Sequence, residues 1–383
     1  MDGKMYLMNT DWIEIQNSKD LFHEILSFLR LSEIVECITT SESWRKQTVG
    51  CRIWDCAPGP KYMKNIHKIY GFRYMVLYVN RYPSDRGINI AEEIRTVFTE
   101  LKFLFLNPND RIVINPGSLP STITRLELGR EFAVMPIPGS FHSGLIHLEF
   151  SNLFNYSFAN LLPETLQYLY TGAVFNLPID PGTLPQSLTY LKFGSEFNQK
   201  LFPGSLPNKL QTLIFGHEFI TEIDQNVLPE SLTKLHFVSY NHKFCSLPKT
   251  LKTLSVGSGW NQPIFPGDFP TGLTELYISD ETYCSSLLGD FNRPIALRAL
   301  PDTITRLVIG SRFPLTIDTG ILPRSLKVLM ILSQSGFTVN LPSEWKARVG
   351  SEYGILYSTQ TNEYLGSCGF LRRGLNSFLK VIE

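Results

Sequence analysis

Tyr168 and Tyr170 stand two residues apart, Tyr190 and Lys192 repeat that pair 22 residues later, and His236 and Tyr277 continue the series. A separation of two keeps side chains on one face of an extended strand. A return after about 22 residues places equivalent side chains on successive turns of a repeat. Aromatic rings with polar tips, an ammonium group and an imidazole on one surface can make ring contacts and hydrogen bonds to a protein partner. That chemistry is recognition, which makes Tyr168, Tyr170, Tyr190, Lys192, His236 and Tyr277 the candidate target-binding residues. The alternative is that tyrosines at these positions simply favour the strand conformation.

Bond-making chemistry has no comparable set. The sequence lacks G-x-S-x-G, G-x-G-x-x-G, a Walker loop and H-E-x-x-H, and its seven histidines, His147, His217 and His236 among them, fall at variable repeat positions. Neither an enzyme nor a cofactor is expected. Six cysteines (37, 51, 56, 245, 284 and 368) form no C-x-x-C pair and no zinc spacing with histidine, so buried free thiols in a reducing compartment are the expectation. Lys plus Arg and Asp plus Glu both total 35, and no basic block points to nucleic acid. The residues before Asn9 include Asp2 and Lys4 and do not form a secretory signal. No apolar run reaches the ~20 residues that span a bilayer. The sequon Asn155-Tyr156-Ser157 falls on the repeat's own asparagine and is idle in an intracellular protein. An intracellular, cytoplasmic location away from membranes follows as an expectation.

The elements that must position the candidate residues are written in the repeat itself. From Leu119 to Pro342 the chain returns to Leu-Pro-x-Ser/Thr-Leu-x-x-Leu-x-Phe-Gly, with Pro163, Pro185, Pro207 and Pro229 at 22-residue intervals and His142 in place of one proline. In Leu-x-x-Leu-x-Phe the last two apolar residues alternate, so Leu191 and Phe193 face a core while Tyr190 and Lys192 face the other way. The same reading gives short parallel strands ending at Leu128, Phe150, Phe215, Phe237, Val256, Ile278, Ile309 and Ile331. Glycines such as Gly216 and Gly257 close strands, and Pro181-Gly182 or Pro203-Gly204 make a second corner. Leu188, Leu191 and Phe193 of one unit contribute about 5–9 kcal/mol of burial. Ordering about twenty residues costs several times that, so one unit alone is unfolded and neighbours must stack. The pairs Phe154-Asn155, Phe175-Asn176, Phe197-Asn198 and Trp260-Asn261 place an aromatic in the core and a turn-forming amide beside it.

This repeat resembles the FNIP repeat, a leucine-rich-repeat relative common in social amoebae and giant DNA viruses. Phe175-Asn176-Leu177-Pro178 is the nearest match to its signature, and an insertion is read around Ser285 to Arg298. The resemblance implies an α/β solenoid, mostly β, coiled right-handed around a parallel sheet of about ten units over residues 117–342. Tyr74–Val79 and Leu101–Leu106 read as strands of diverged opening coils within residues 58–116, with a helix at Ile90–Phe98 between them. Residues 343–383 read as a C-terminal cap with a helix near Leu371–Val381.

Residues 1–57 have another composition. Leu21, Phe22, Ile25, Leu26 and Leu29 recur at helical spacing behind Ser18 and Asp20, and Ile34 and Trp44 lie on two further short helical stretches. The segment Leu21-Phe22-His23-Glu24-Ile25-Leu26, then Leu31-Ser32-Glu33-Ile34, Ser43-Trp44-Arg45 and Ile53-Trp54, resembles an F-box, with Leu-Phe where the motif has Leu-Pro. The resemblance implies a small all-α module binding a Skp1-like adaptor through Leu21, Phe22, Ile25, Leu26, Leu29 and Ile34, with Trp44 tying the helices together. It further implies a cullin complex as partner, with the repeats selecting an unidentified target protein for ubiquitin transfer. Two alternatives remain on the residues alone: an amphipathic cap on the first coil, or a scaffold or decoy that captures a partner without transfer.

Overall fold

The computed structural model describes residues 114–117, 119, 121–128, 135–278, 291–310 and 321–331, together with the backbone of strands at 53–55, 74–79, 100–105, 346–350 and 354–358. The F-box-like residues Leu21, Phe22, Ile25, Leu26, Leu29, Ile34 and Trp44 lie outside it, as do the helices expected at 90–98 and 371–381.

Each coil starts at the proline position. Leu166, Leu188, Leu210, Leu232, Leu251, Leu273, Ile304 and Leu326 donate their amides to the carbonyl of the proline three residues earlier, at 3.0–3.1 Å. His142 supports the same turn, accepting from Leu145 at 3.1 Å, so the turn needs a carbonyl there rather than a proline ring. The Ser/Thr that follows ties the turn to the previous coil. Ser231, Thr303 and Ser325 donate their hydroxyls to the carbonyls of Leu210, Leu273 and Ile304 at 2.6–2.7 Å.

The chain divides into two compact units, Met1–Gly172 and Ala173–Glu383. In the first, strands β1 (Ile53–Asp55), β2 (Tyr74–Val79), β3 (Glu100–Phe105), β4 (Arg125–Leu128), β5 (His147–Glu149) and β6 (Tyr168–Tyr170) pair in sequence order, all parallel. The opening coils expected at 74–79 and 101–106 are thus strands in register with the repeats. The same register takes in Ile53-Trp54, read from sequence as the close of the F-box-like segment: both residues sit in β1, paired with β2. In the second unit the parallel strands are β7 (Tyr190–Lys192), β8 (Thr212–Ile214), β9 (Lys234–His236), β10 (Thr253–Ser255), β11 (Glu275–Ile278), β12 (Arg306–Ile309) and β13 (Val328–Ile331). The series then reverses. Strands β14 (Lys346–Gly350) and β15 (Gly354–Ser358) form a hairpin, and β15 runs antiparallel to β13. A hairpin ends a parallel stack without another crossover, and an edge strand carrying Lys346 and Arg348 discourages further pairing.

The core is a set of ladders. The strand leucines 126, 148, 169, 191, 213, 235, 254, 276, 307 and 329 are all fully buried. In the second unit the aromatic ladder links Phe193 to Phe197 at 3.9 Å and to Phe215 at 5.3 Å, Phe215 to Phe237 at 5.0 Å and Phe237 to Tyr240 at 4.4 Å. Trp260 continues it onto Phe291 at 5.6 Å. The insertion is therefore shorter than the sequence reading allowed. Residues 291–298 already belong to the next coil, bridged through Ile264 and Ile295. Phe291-Asn292-Arg293-Pro294 carries the signature that would have revealed it.

Two glycine roles emerge. Gly182 has φ 82° and open space around a Cβ, so only its left-handed backbone demands glycine. At Gly257, an added Cβ would strike the carbonyl oxygen of Val238 on the preceding coil, so close approach of two backbones demands it as well.

Candidate partner-binding face

The alternation within each strand presents two columns of side chains away from the leucine core. In the first unit Arg125, His147 and Tyr168 are register partners along β4–β6, and Glu127, Glu149 and Tyr170 form the second column. All six are half-buried. In the second unit one column runs Tyr190, Thr212, Lys234, Thr253, Glu275, Arg306, Val328 and the other Lys192, Ile214, His236, Ser255, Tyr277, Val308, Met330.

Exposure does not follow the alternation. Tyr190 is 5 % exposed and His236 7 %, Thr253, Ser255, Ile214 and Val328 are also buried, and Val308 is fully so. Period two dictates which way a side chain points, whereas neighbours ~4.8 Å away on adjacent strands decide how much water reaches it. Of the six sequence candidates, Tyr168, Tyr170, Lys192 and Tyr277 remain accessible, while Tyr190 and His236 are buried on the sheet face. Tyr168 and Tyr170 belong to the first unit and the other four to the second.

The first unit's face carries a connected polar set that sequence reasoning passed over in favour of the tyrosines. Arg125 Nη2 donates to Glu127 Oε1 at 2.9 Å and to Glu149 Oε1 at 3.3 Å, and its Nε reaches Glu127 Oε1 at 3.2 Å. His147 Nε2 lies 2.7 Å from the same Glu149 oxygen. The His147 ring stacks on Tyr168 with centroids 3.6 Å apart and planes 8° from parallel. Burial pulls the His147 pKa below the ordinary histidine value, against the Glu149 hydrogen bond, which raises it. The signal was present in the sequence, since Arg125-x-Glu127 and His147-x-Glu149 occupy equivalent strand positions.

The second unit's face has its own polar contacts. Glu275 Oε2 accepts from the Tyr277 hydroxyl at 3.1 Å and from Thr253 at 3.5 Å. Tyr277 also packs against Val308 and Met330.

The asparagines beside the core aromatics are structural, as their turn chemistry predicts. Asn176 Oδ1 accepts from the Asn198 amide at 3.0 Å, Asn198 Oδ1 from the amides of Ile220 and Thr221 at 3.0 Å, and Asn261 Oδ1 from Asn292 at 3.0 Å. Each amide thus caps the next coil rather than facing a ligand. Ile220 breaks the row: it occupies the asparagine position, is 56 % exposed, and its carbonyl instead meets His242 Nε2 at 2.7 Å.

Among the described residues no group of His, Cys, Asp and Glu is arranged to hold a metal ion, and no helix is long and apolar enough to cross a membrane. Cys245 is free and exposed, against the expectation of a buried thiol; the other five cysteines lie outside the described residues.

With the ladders and faces in view, the repeat matches a known family. The FNIP Repeat family matches residues 175–218, 219–259 and 291–333. The chain carries three FNIP repeats. The first and third begin on the Phe-Asn pairs Phe175-Asn176 and Phe291-Asn292, and the second on Phe219-Ile220, the broken rung. A probable serine/threonine-protein kinase, fnkA, of Dictyostelium discoideum is 35% identical over 65 residues, which is 17% of this chain and 7% of that protein. The solved structure of CroV588, described as a novel circular LRR protein, aligns with a TM-score of 0.56 at 29% identity, over 71% of this chain and 41% of that one. The chain is a parallel β-solenoid similar to that circular leucine-rich-repeat protein, and spans less than half its length. The three matched segments lie in the second unit.

Proposed function

We propose that this chain is a non-catalytic recognition scaffold whose strand face captures a target protein, and that its amino-terminal segment delivers the captured target to a ubiquitin ligase by docking a Skp1-like adaptor. One observation carries the first part. Backbone amides, asparagine amides and core aromatics are spent on contacts between successive coils, whereas the strand-face columns change chemistry from coil to coil. A surface that varies on a fixed lattice is what repeat proteins use to select partners. The second part is supported by the F-box-like residues Leu21, Ile25, Leu26, Leu29 and Ile34 in front of FNIP repeats.

The test has two arms. Replacing Tyr168 and Tyr170 by alanine, without touching buried Tyr190, should abolish partner capture and lower stability only by the about 1–3 kcal/mol that two half-buried rings and the His147 stack contribute. Full recovery of the partner by that variant removes the face from the proposal. Co-purification with Skp1 and its loss on Leu26→Asp tests the amino-terminal role, and recovery of a cullin with accumulation of the target on removal of the protein separates productive transfer from sequestration. If Skp1 is not recovered, the scaffold reading stands without the ligase.

A further inference from the structure

In four successive coils of the second unit, the residues that follow the core aromatic alternate between core and solvent. Phe197, Phe219, Tyr240 and Trp260 are buried, as are Leu201, Ile223 and Ile264 four residues after their aromatics, with Phe244 half-buried at the same place. The third and fifth residues therefore point outward. They are Lys200 and Phe202, Glu222 and Asp224, Lys243 and Cys245, Pro263 and Phe265, all exposed except half-buried Pro263. Contacts hold these coils side by side. Asn198 Oδ1 accepts from the Ile220 amide at 3.0 Å, the Ile220 carbonyl meets His242 Nε2 at 2.7 Å, and Asn241 Oδ1 accepts from the Asn261 amide at 2.8 Å. On the outward row itself, Lys200 Nζ lies 2.8 Å from Asp224 Oδ2, and Lys243 Nζ lies 5.1 Å from the Phe265 ring centre.

Phe202 and Phe265, 49 % and 47 % exposed, stand on the outer two of the four coils. Between them lie an acidic coil, with Glu222 and Asp224, and a cationic one, with Lys243. The order phenylalanine, acid, lysine, phenylalanine is its own complement when reversed. Consider a two-fold axis lying in this surface between the Phe219 and Tyr240 coils, along the alternating segments. It sets the Phe197 coil of one copy against the Trp260 coil of another, third residue on third and fifth on fifth. Phe202 then meets Phe265 of the second copy, and Glu222 meets its Lys243, each contact occurring twice. We propose that this flank binds a second copy of the chain as a two-fold dimer, with Phe202 packed on Phe265 and Glu222 paired with Lys243 across the axis. The exposed rings supply the apolar anchors. Charge fixes the register: moving the axis onto either middle coil would oppose Glu222 and Asp224, or Lys243, with their own copies.

The contact uses no strand-column residue, so it stands or falls apart from the capture face. Sedimentation of the full chain over a dilution series tests it, with reductant present so that exposed Cys245 forms no disulfide. Wild type should sediment as a dimer that dissociates on dilution. F202A/F265A should weaken association about tenfold or more. E222K and K243E should each be monomeric at concentrations where wild type pairs, because each sets like charges against one another across the axis. An equimolar mixture of E222K and K243E should recover the dimer, since every cross-axis contact again opposes glutamate and lysine. A folding defect does not produce that recovery. Lys243 also pairs with Asp268 at 3.0 Å, so if K243E does not fold, E222K and F202A/F265A decide the question. A monomeric wild type, a dimer that survives F202A/F265A or E222K, or a mixture of folded variants that stays monomeric each overturns the proposal.

Discussion

The strand faces of the two units follow the same alternation and are filled differently. On β4–β6 the side chains join sideways through Arg125, Glu127, Glu149, His147 and Tyr168, and all stay half-exposed. On β7–β13 the half-exposed charges Lys192, Lys234, Glu275 and Arg306 stand among residues that close over, with Thr253, Ser255, Val308 and Met330 buried and Tyr277 packed against the last two. The core leucines beneath are equally buried in both. The lesson is that the repeat fixes the core and the register while leaving the face open to specialisation.

The sharpest way to break this contrast is to place a charge on each face. Val308→Asp puts an unpaired carboxylate at a fully buried position and should cost about 4 kcal/mol or more, whereas Tyr170→Asp should cost about 1 kcal/mol. Midpoints of urea unfolding measure both, and equal losses would erase the difference between the faces. Beneath the faces the contrast should vanish. Leu148→Ala in the first unit and Leu213→Ala in the second should each lose about 2–5 kcal/mol, since both leucines are completely buried. A clearly smaller loss in one unit would mean that its core is less tightly packed.

Smaller effects belong to the asparagine row. Asn198 Oδ1 accepts two backbone amides and the Thr221 hydroxyl, so Asn198→Ala should cost about 1–3 kcal/mol. Ile220→Asn restores the missing amide and should gain about 1 kcal/mol, read as a raised melting temperature. Loss of stability on that change would show that the rung is filled by something other than an amide cap.

The smallest effects are titrations. Burial pushes the Tyr240 phenol up to about 12, above the ~10 of an unfolded tyrosine. The folded state therefore holds its proton more tightly. That contribution is complete below pH ~10 and is lost as pH rises toward 12, and Tyr240→Phe should flatten this alkaline limb. His147 shifts the other way. Its folded value lies below the ordinary 6.5, so stability is complete above that pH and declines as pH falls through it toward the folded value. His147→Gln should remove that acid slope, and an unchanged slope would detach His147 from the face's proton balance.

Much of the fold was legible because its signals are local. Pro at the turn, Leu two residues before Phe, and Pro-Gly at the corner each act within a few residues, and the proline turn recurs from Pro163 through Pro323. The coil after β11 is where the reading by period fails, because the Phe291-Asn292 pair comes late and residues 291–298 count as insertion by spacing alone. The strand face was half legible. Spacing gave the columns, and their register holds in each unit, but Tyr190 and His236 are buried, because exposure depends on register neighbours 19 and 22 residues away in sequence.

The sequence by itself determined a stack of short parallel strands, its leucine and phenylalanine core, and the two columns that point away from that core, because alternation and turn chemistry are properties of adjacent residues. Only the tertiary structure decided which members of those columns meet water, that Arg125 bridges two glutamates on successive strands, that Asn176, Asn198 and Asn261 each cap the coil after their own, and that a hairpin ends the parallel series. These are outcomes of side chains and backbones brought within a few ångströms from separate coils, and no single coil contains them.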